Sequence, residues 1–182
     1  MAVIRLFDFD GTLFRNPGPP ADWPGEDYTW YDDPVSLLPP AVPLFPGLEW
    51  WVGPSVEAAR HAFAPDRDLD MAFLATGRTP THKERIRELV NQVGIAVPTV
   101  HCRPEDEETV PFKIGVLERG IDSGTELVEV WDDMQHYLDA YREFVEGELG
   151  LPFVGHLVRY PQPAPGGYGL AASRVASRYL FP

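Results

Sequence analysis

Short apolar runs of strand type alternate with longer amphipathic runs through most of this chain, and no other feature narrows its fold as far. Residues 2–7, 69–75, 95–101, 127–131 and 153–158 are short and mostly apolar, the pattern of buried strands. Between them, 54–63, 81–93, 110–119 and 134–149 are predicted helices. In 81–93 the apolar face is Ile86, Leu89, Val90 and Val93, and Gly94, Gly120 and Gly150 stand where three of the helices end. A last helix is predicted over 170–180. Strands separated by helices of this length favour parallel pairing. The expectation is an α/β fold, a Rossmann-like parallel sheet with helices on both faces. The 182 residues suit a single domain, 1–182.

One stretch breaks the alternation. From about 14 to 52 the chain is dense in proline and aromatic residues, among them Pro17, Pro19, Pro20, Trp23, Tyr28, Trp30, Tyr31, Pro39, Pro40, Trp50 and Trp51. Proline at that density forbids a long helix or a central strand. A disordered linker rarely carries so many large rings. The stretch therefore reads as an ordered, irregular insertion, a small cap or lid over a site. Its aromatics are expected to form a small core of their own, with base stacking as the alternative.

Composition excludes several classes. The net charge of −13 repels polyanions at long range and counts against nonspecific binding along nucleic acid, though it leaves room for a locally positive pocket. Cys102 is alone, so it has no disulfide partner and no companion for a zinc site. No apolar run approaches the length of a membrane span, and acidic residues interrupt the apolar N-terminus, unlike a signal peptide. The expectation is a soluble, cytoplasmic protein without a membrane partner.

In parallel α/β sheets, sites form beyond the carboxyl ends of the strands. The chemically distinctive residues fall there: Asp8 and Asp10 after the first strand, Thr76-Gly77-Arg78 after the second, Asp132-Asp133 after the fourth. Carboxylates gathered at one sheet edge need a cation, and hard oxygen ligands favour Mg2+. Thr76 offers a hydroxyl, the Gly11-Thr12 turn backbone N–H groups, and Lys113 a positive charge, the groups that surround a transferring phosphoryl. One carboxylate of such a set can attack phosphorus, while another moves the proton.

Taken together, Asp8-Phe9-Asp10-Gly11-Thr12-Leu13, Thr76, Lys113 and Asp132-Asp133 resemble, in order, the four motifs of the haloacid dehalogenase (HAD) superfamily of phosphatases. The resemblance covers roughly 2–158. It implies a hydrolase, a phosphoric monoester hydrolase, with Asp8 as nucleophile and Asp10 as general acid and base. It further implies phosphate binding by Thr76, Gly77, Lys113 and Arg78, and Mg2+ held by Asp8, Asp10 (through its carbonyl), Asp132 and Asp133. Which of Asp132 and Asp133 touches the metal stays open at this point.

A narrower resemblance rests on Thr76-Gly77-Arg78, Thr109-Val110-Pro111-Phe112-Lys113, Trp131-Asp132-Asp133-Met134-Gln135-His136, Tyr141-Arg142-Glu143-Phe144 and the Trp50-Trp51 pair. These look like the phosphatase domains of nucleic-acid end repair, the Swiss-army-knife RNA-repair-like domains and the phosphatase half of polynucleotide kinase-phosphatase. That implies a phosphorylated substrate, an oligonucleotide or nucleotide end. Met134 departs from those proteins, which carry Arg after the Asp pair. No phosphate-binding kinase loop is present.

Simpler readings stand beside these. A calcium loop starting at Asp8 would need Gly and Glu where the chain has Leu13 and Pro19. Arg78 is either a phosphate ligand or a surface ion-pair partner, and Asp132-Asp133 can also cap a helix. His82 and His136 read as packing or surface residues, and Asp32-Asp33 as a solvated loop face. A small cap predicts an open site, which favours a phosphate at the end of a larger molecule. A small-metabolite phosphatase and a noncatalytic HAD-fold binding domain are the alternatives.

Overall fold

The computed structural model describes residues 2–26, 29–64 and 70–159. The predicted helix over 170–180, Tyr28 and Leu69 lie outside them. Five strands form the sheet: β1 (Ala2–Phe7), β2 (Met71–Thr76), β3 (Val100–Cys102), β4 (Thr125–Asp132) and β5 (Phe153–Leu157). The helices are α1 (Thr29–Asp32), α2 (Gly53–Ala62), α3 (Lys83–Gln92), α4 (Thr109–Glu118) and α5 (Gln135–Arg142). All strand pairs are parallel and the order is β3-β2-β1-β4-β5. The fold is thus α/β and Rossmann-like. Among the described residues, no helix is long and apolar enough to cross a membrane.

Strand alternation divides the core. In β1, Phe7 joins one apolar cluster while Ile4 and Leu6 join another; in β2, Leu74 and Ala75 divide the same way. The first cluster takes in α2, α3 and the insertion; the second takes in α4 and α5, through Phe112, Val116 and Leu138. Burying both faces explains why the strands read as near-continuous apolar runs. Each buried Leu or Phe contributes about 1.5–3 kcal/mol.

Two expected elements differ. The strand expected at 95–101 shrinks to Val100–Cys102. Ile95 and Val97 are buried, but they pack beneath α3 instead of pairing, and Pro98 has no N–H to give a ladder. The helix expected at 134–149 is α5 followed by a wider π turn, Glu143–Glu148.

The insertion is ordered. It carries α1 and two 3-10 turns, Pro34–Leu37 and Leu48–Trp50. Several of its aromatics are buried, in the first cluster with Phe7 and α3 instead of a core of their own: Phe14 stacks on Phe9 and Trp50 and meets the edge of Trp51, while Phe45 is 81% exposed. Three arginines of the main domain bind its backbone or side chains. Arg85 donates to the carbonyls of Leu37, Pro43 and Leu44, Arg103 pairs with Asp32 at 3.1 Å, and Arg78 reaches Tyr31 and Ser36. Asp32 is therefore an anchor. Asp33 caps the first 3-10 turn, accepting from the Val35 N–H at 2.9 Å.

Candidate active site

β1 lies between β2 and β4, where the chain turns from building one half of the sheet to the other. The loops leaving these three strands therefore meet at one edge. Asp8 follows β1, and its N–H donates to the Trp131 carbonyl at 3.0 Å, which ties it to the end of β4. Asp132 is the last residue of β4, with Asp133 next. Gly11, at φ 74°, makes the turn after β1, and a Cβ there would overlap the Asp133 carboxylate. Only glycine permits both that backbone conformation and that approach.

Asp8, Asp132 and Asp133 each offer a carboxylate oxygen, and these oxygens lie within 4.8 Å of one another. Lys113, projecting from α4, is 1% exposed; its Nζ donates to Asp8 Oδ1 at 2.7 Å and to Asp132 Oδ2 at 3.0 Å. Burial alone would lower the Lys113 pKa, but Asp132 and Asp8 outweigh that and hold it well above the ordinary value.

The carboxylates show the strain of crowding. Burial, with Asp132 and Asp10 nearby, pushes the Asp8 carboxyl up to about 7 despite Lys113. Burial and then Asp8 and Asp132 raise Asp133 well above the usual carboxylate range. Asp132 is satisfied: Oδ2 accepts from Lys113 and, at 3.4 Å, from the Tyr141 hydroxyl, and Oδ1 accepts from the Met134 N–H at 2.9 Å. Asp133 makes no such bond among the described residues. The three oxygens are hard donors with net negative charge, which fits a small divalent cation, and Asp133 is the carboxylate that most lacks a counter-charge.

Asp10 faces away from this cluster. Its carboxylate accepts from the Thr76 hydroxyl at 3.0 Å, from Arg78 Nε at 2.8 Å and from the Asn16 amide. Its side chain is 24% exposed while that of Asp8 is 7%, so Asp10 forms the wet side of the site. The Asp10 carboxylate thus stands outside the candidate metal cluster, leaving only its carbonyl for the role the sequence suggested.

Thr76 and Arg78, expected around phosphate, both bond to Asp10 in this structure. Arg78 is neither exposed nor on the surface: it is 1% exposed, with Nη1 donating to Tyr31 O at 2.9 Å and to Ser36 Oγ at 2.6 Å. It brackets Asp10 to the insertion, and among the described residues only its Nη2 has no hydrogen-bond partner. Gly77 sits tightly against Thr109, and its carbonyl accepts from Arg103 Nε at 2.8 Å. The Gly11 N–H, expected to face phosphate, donates to Phe14 O at 2.8 Å and is already committed.

Thr76, Lys113 and Asp132 are each at most 1% exposed. His82 is buried against Thr79 and Thr81, and His136 is exposed beside Tyr137; neither joins the carboxylates. Sequence reasoning missed Asn16, Ser36 and Tyr137, and gave Tyr141 only as part of a resemblance, with no role. The i, i+4 spacing of the two tyrosines on α5 was a usable signal, since it puts both on the face that meets Lys113.

This arrangement sits on a fold seen before. The chain superposes on the structure of the Pnkp1/Rnl/Hen1 RNA repair complex with a TM-score of 0.54 and 16% identity, covering 86% of this chain and 43% of that one. A second structure of the Pnkp1/Rnl/Hen1 complex gives 0.53 and 16% identity, covering 86% and 47%. The likeness is one of fold. The chain spans less than half the length of the chains it matches. No protein-family model and no curated protein sequence matches it.

Proposed function

We propose that this chain is a Mg2+-dependent phosphomonoesterase of the HAD type, working through an aspartyl-phosphate on Asp8 and acting on the phosphate ends of nucleic acids. The observation that carries the reading is the convergence of Asp8, Asp132 and Asp133 within 4.8 Å beside the buried Lys113. Asp8, Asp133 and Asp132 would hold Mg2+, which would supply positive charge to neutralise phosphate oxygens. Lys113 orients Asp8 by holding Oδ1, which leaves Oδ2 to attack phosphorus. The bond from phosphorus to the ester oxygen breaks as the Asp8 bond forms, and Asp10 gives its proton to the departing oxygen. Asp10 then takes a proton from the water that attacks the same phosphorus, which releases phosphate and restores Asp8. Asn16, Thr76 and Arg78 hold Asp10 in place for both transfers.

The depth of Asp8 supports the substrate class. A nucleophile only 5% exposed is reached by a terminal phosphate and not by one inside a polymer. The likeness of fold to chains of an RNA repair complex agrees with a nucleic-acid end as substrate. A small-metabolite phosphatase is the second reading, favoured by the net charge of −13.

The test is phosphate release with Mg2+ from 3′- and 5′-phosphorylated oligonucleotides, nucleoside monophosphates and sugar phosphates. Release from oligonucleotide ends, lost in Asp8→Asn, is expected. Brisk turnover of a sugar phosphate with no release from any oligonucleotide would overturn the substrate class. An unchanged rate in Asp8→Asn would overturn the chemistry.

A further inference from the structure

Beyond the ends of β4 and β5 lies a cavity of about 430 Å³, on the same edge of the sheet as Asp8. That is within the ~300–1,000 Å³ of sites that hold small ligands. Its walls include Arg15, Ser55, Trp131, His156 and Arg159, and among the described residues no Asp or Glu lines it. The chain has 28 acidic residues against 15 Lys and Arg, and two of those basic residues line this ligand-sized hollow. The nearest carboxylate to His156, that of Glu129 at 3.8 Å, is already bound to Arg5 at 2.7 Å. The first turn of α2 adds its N-terminal end to one wall, which further favours an anion.

The cavity adjoins the candidate site through two short stretches of chain. Trp131 precedes Asp132, and its carbonyl accepts from the Asp8 N–H. Arg15 precedes Asn16, which donates to Asp10. One wall is also aromatic: Phe7 stacks on Trp131 at 4.4 Å and 14°, and Trp131 stacks on His156 at 4.1 Å and 9°. The His156 side chain is 38% exposed, so the ring column reaches solvent at its His156 end. Phe7 and His156 flank Trp131 from the neighbouring strands, so the ring face the column offers is the outer face of His156. A ring face beside basic side chains complements a nucleotide, whose base has a π-face and whose linkage has a charge.

We propose that this cavity binds the nucleotide next to the phosphorylated end, with Arg15 and Arg159 on its phosphodiester and its base against the outer face of His156. This rests on the reading of a phosphatase for polynucleotide ends and adds the second subsite that separates such an end from a small phosphate ester.

The test is equilibrium binding, with Mg2+, to full-length Asp8→Asn protein, which does not consume its ligand. A dinucleotide carrying a terminal phosphate is compared with the matching nucleoside monophosphate. The dinucleotide is expected to bind at least tenfold more tightly, the order of one charge-assisted contact. Arg15→Gln and Arg159→Gln, each verified as folded by thermal melt, are each expected to remove most of that preference. Each should also flatten the salt dependence of dinucleotide binding by about 0.7 in log–log slope. Equal affinity for the two ligands in the parent protein overturns the subsite, and that comparison needs no further variant. A loss falling equally on both ligands overturns the assignment of the arginines. If wild-type protein dephosphorylates ends without any dinucleotide preference, the subsite fails and the phosphatase reading stands. If no end is dephosphorylated and the preference remains, the reverse holds.

Discussion

Lys113→Met removes a buried ammonium and leaves two carboxylates facing an apolar side chain of similar length. The contacts at 2.7 Å to Asp8 and 3.0 Å to Asp132 are each worth about 6 kcal/mol at an effective dielectric of ~20. Desolvating the ammonium offsets several kcal/mol of that. Removing one partner of such a set costs about 3–5 kcal/mol, because the remaining charges stay buried. The loss depends on pH in a fixed direction. Asp8 already titrates at about 7, against an ordinary value of 3.8, and without Lys113 it would titrate higher. A carboxyl with a raised folded-state pKa contributes stability that is fully present below its unfolded pKa and lost as pH rises through its folded pKa. The variant should therefore lose more stability near pH 8 than near pH 5, where Asp8 is protonated and the missing cation matters less. Urea unfolding followed by tryptophan fluorescence, with EDTA throughout, measures this. With a slope of about 2 kcal/mol/M, the expected midpoint shift near pH 8 is roughly 2 M. A loss under about 1 kcal/mol, or one that is larger at acid pH, would refute the reasoning.

Three further outcomes follow from the same geometry. Mg2+ should raise the melting temperature more near pH 8 than near pH 6, because burial and crowding push the Asp8 carboxyl up to about 7 and raise Asp133 as well, so that at the lower pH a metal must displace the Asp8 proton; equal shifts at both pH values would count against the carboxylate cluster as the metal site. Arg78→Lys replaces a fork that spans Asp10, Tyr31 and Ser36 with a single ammonium, at a cost of about 2–3 kcal/mol; faster proteolysis within the insertion together with a lower kcat is expected, and an unchanged cleavage pattern would contradict the bracket. Burial pushes the Cys102 thiol up to about 11, so its alkylation near pH 8 should run about 100-fold slower than that of a free thiol; a rate close to that of glutathione would contradict this placement.

The strand ends were legible because a buried parallel strand must stop where polar side chains begin, and Phe7-Asp8, Ala75-Thr76 and Trp131-Asp132 each mark such a stop. The sheet order then brought those three stops together. The strand expected at 95–101 misled because burial and β-pairing leave the same apolar signature: Ile95 and Val97 fill the core without joining the ladder. The insertion was legible as ordered from its rings. Its attachment was not, because Arg78, Arg85 and Arg103 bind carbonyls and short side chains at separations such as 47 and 71 residues, which leave no periodic trace. The bonds that Thr76 and Arg78 make to Asp10 left no trace in the sequence for the same reason.

Sodium borohydride reduces an acyl phosphate but leaves a free carboxylate intact, so it tests the role of Asp8 at the bond that matters. Protein turning over a phosphorylated end with Mg2+ is quenched into borohydride, digested and sequenced by mass spectrometry. The expected result is a primary alcohol in place of the carboxyl at Asp8, dependent on substrate and absent when substrate is withheld. Reduction at Asp10, Asp132 or Asp133, or at no residue while phosphate is being released, would contradict Asp8 as the nucleophile.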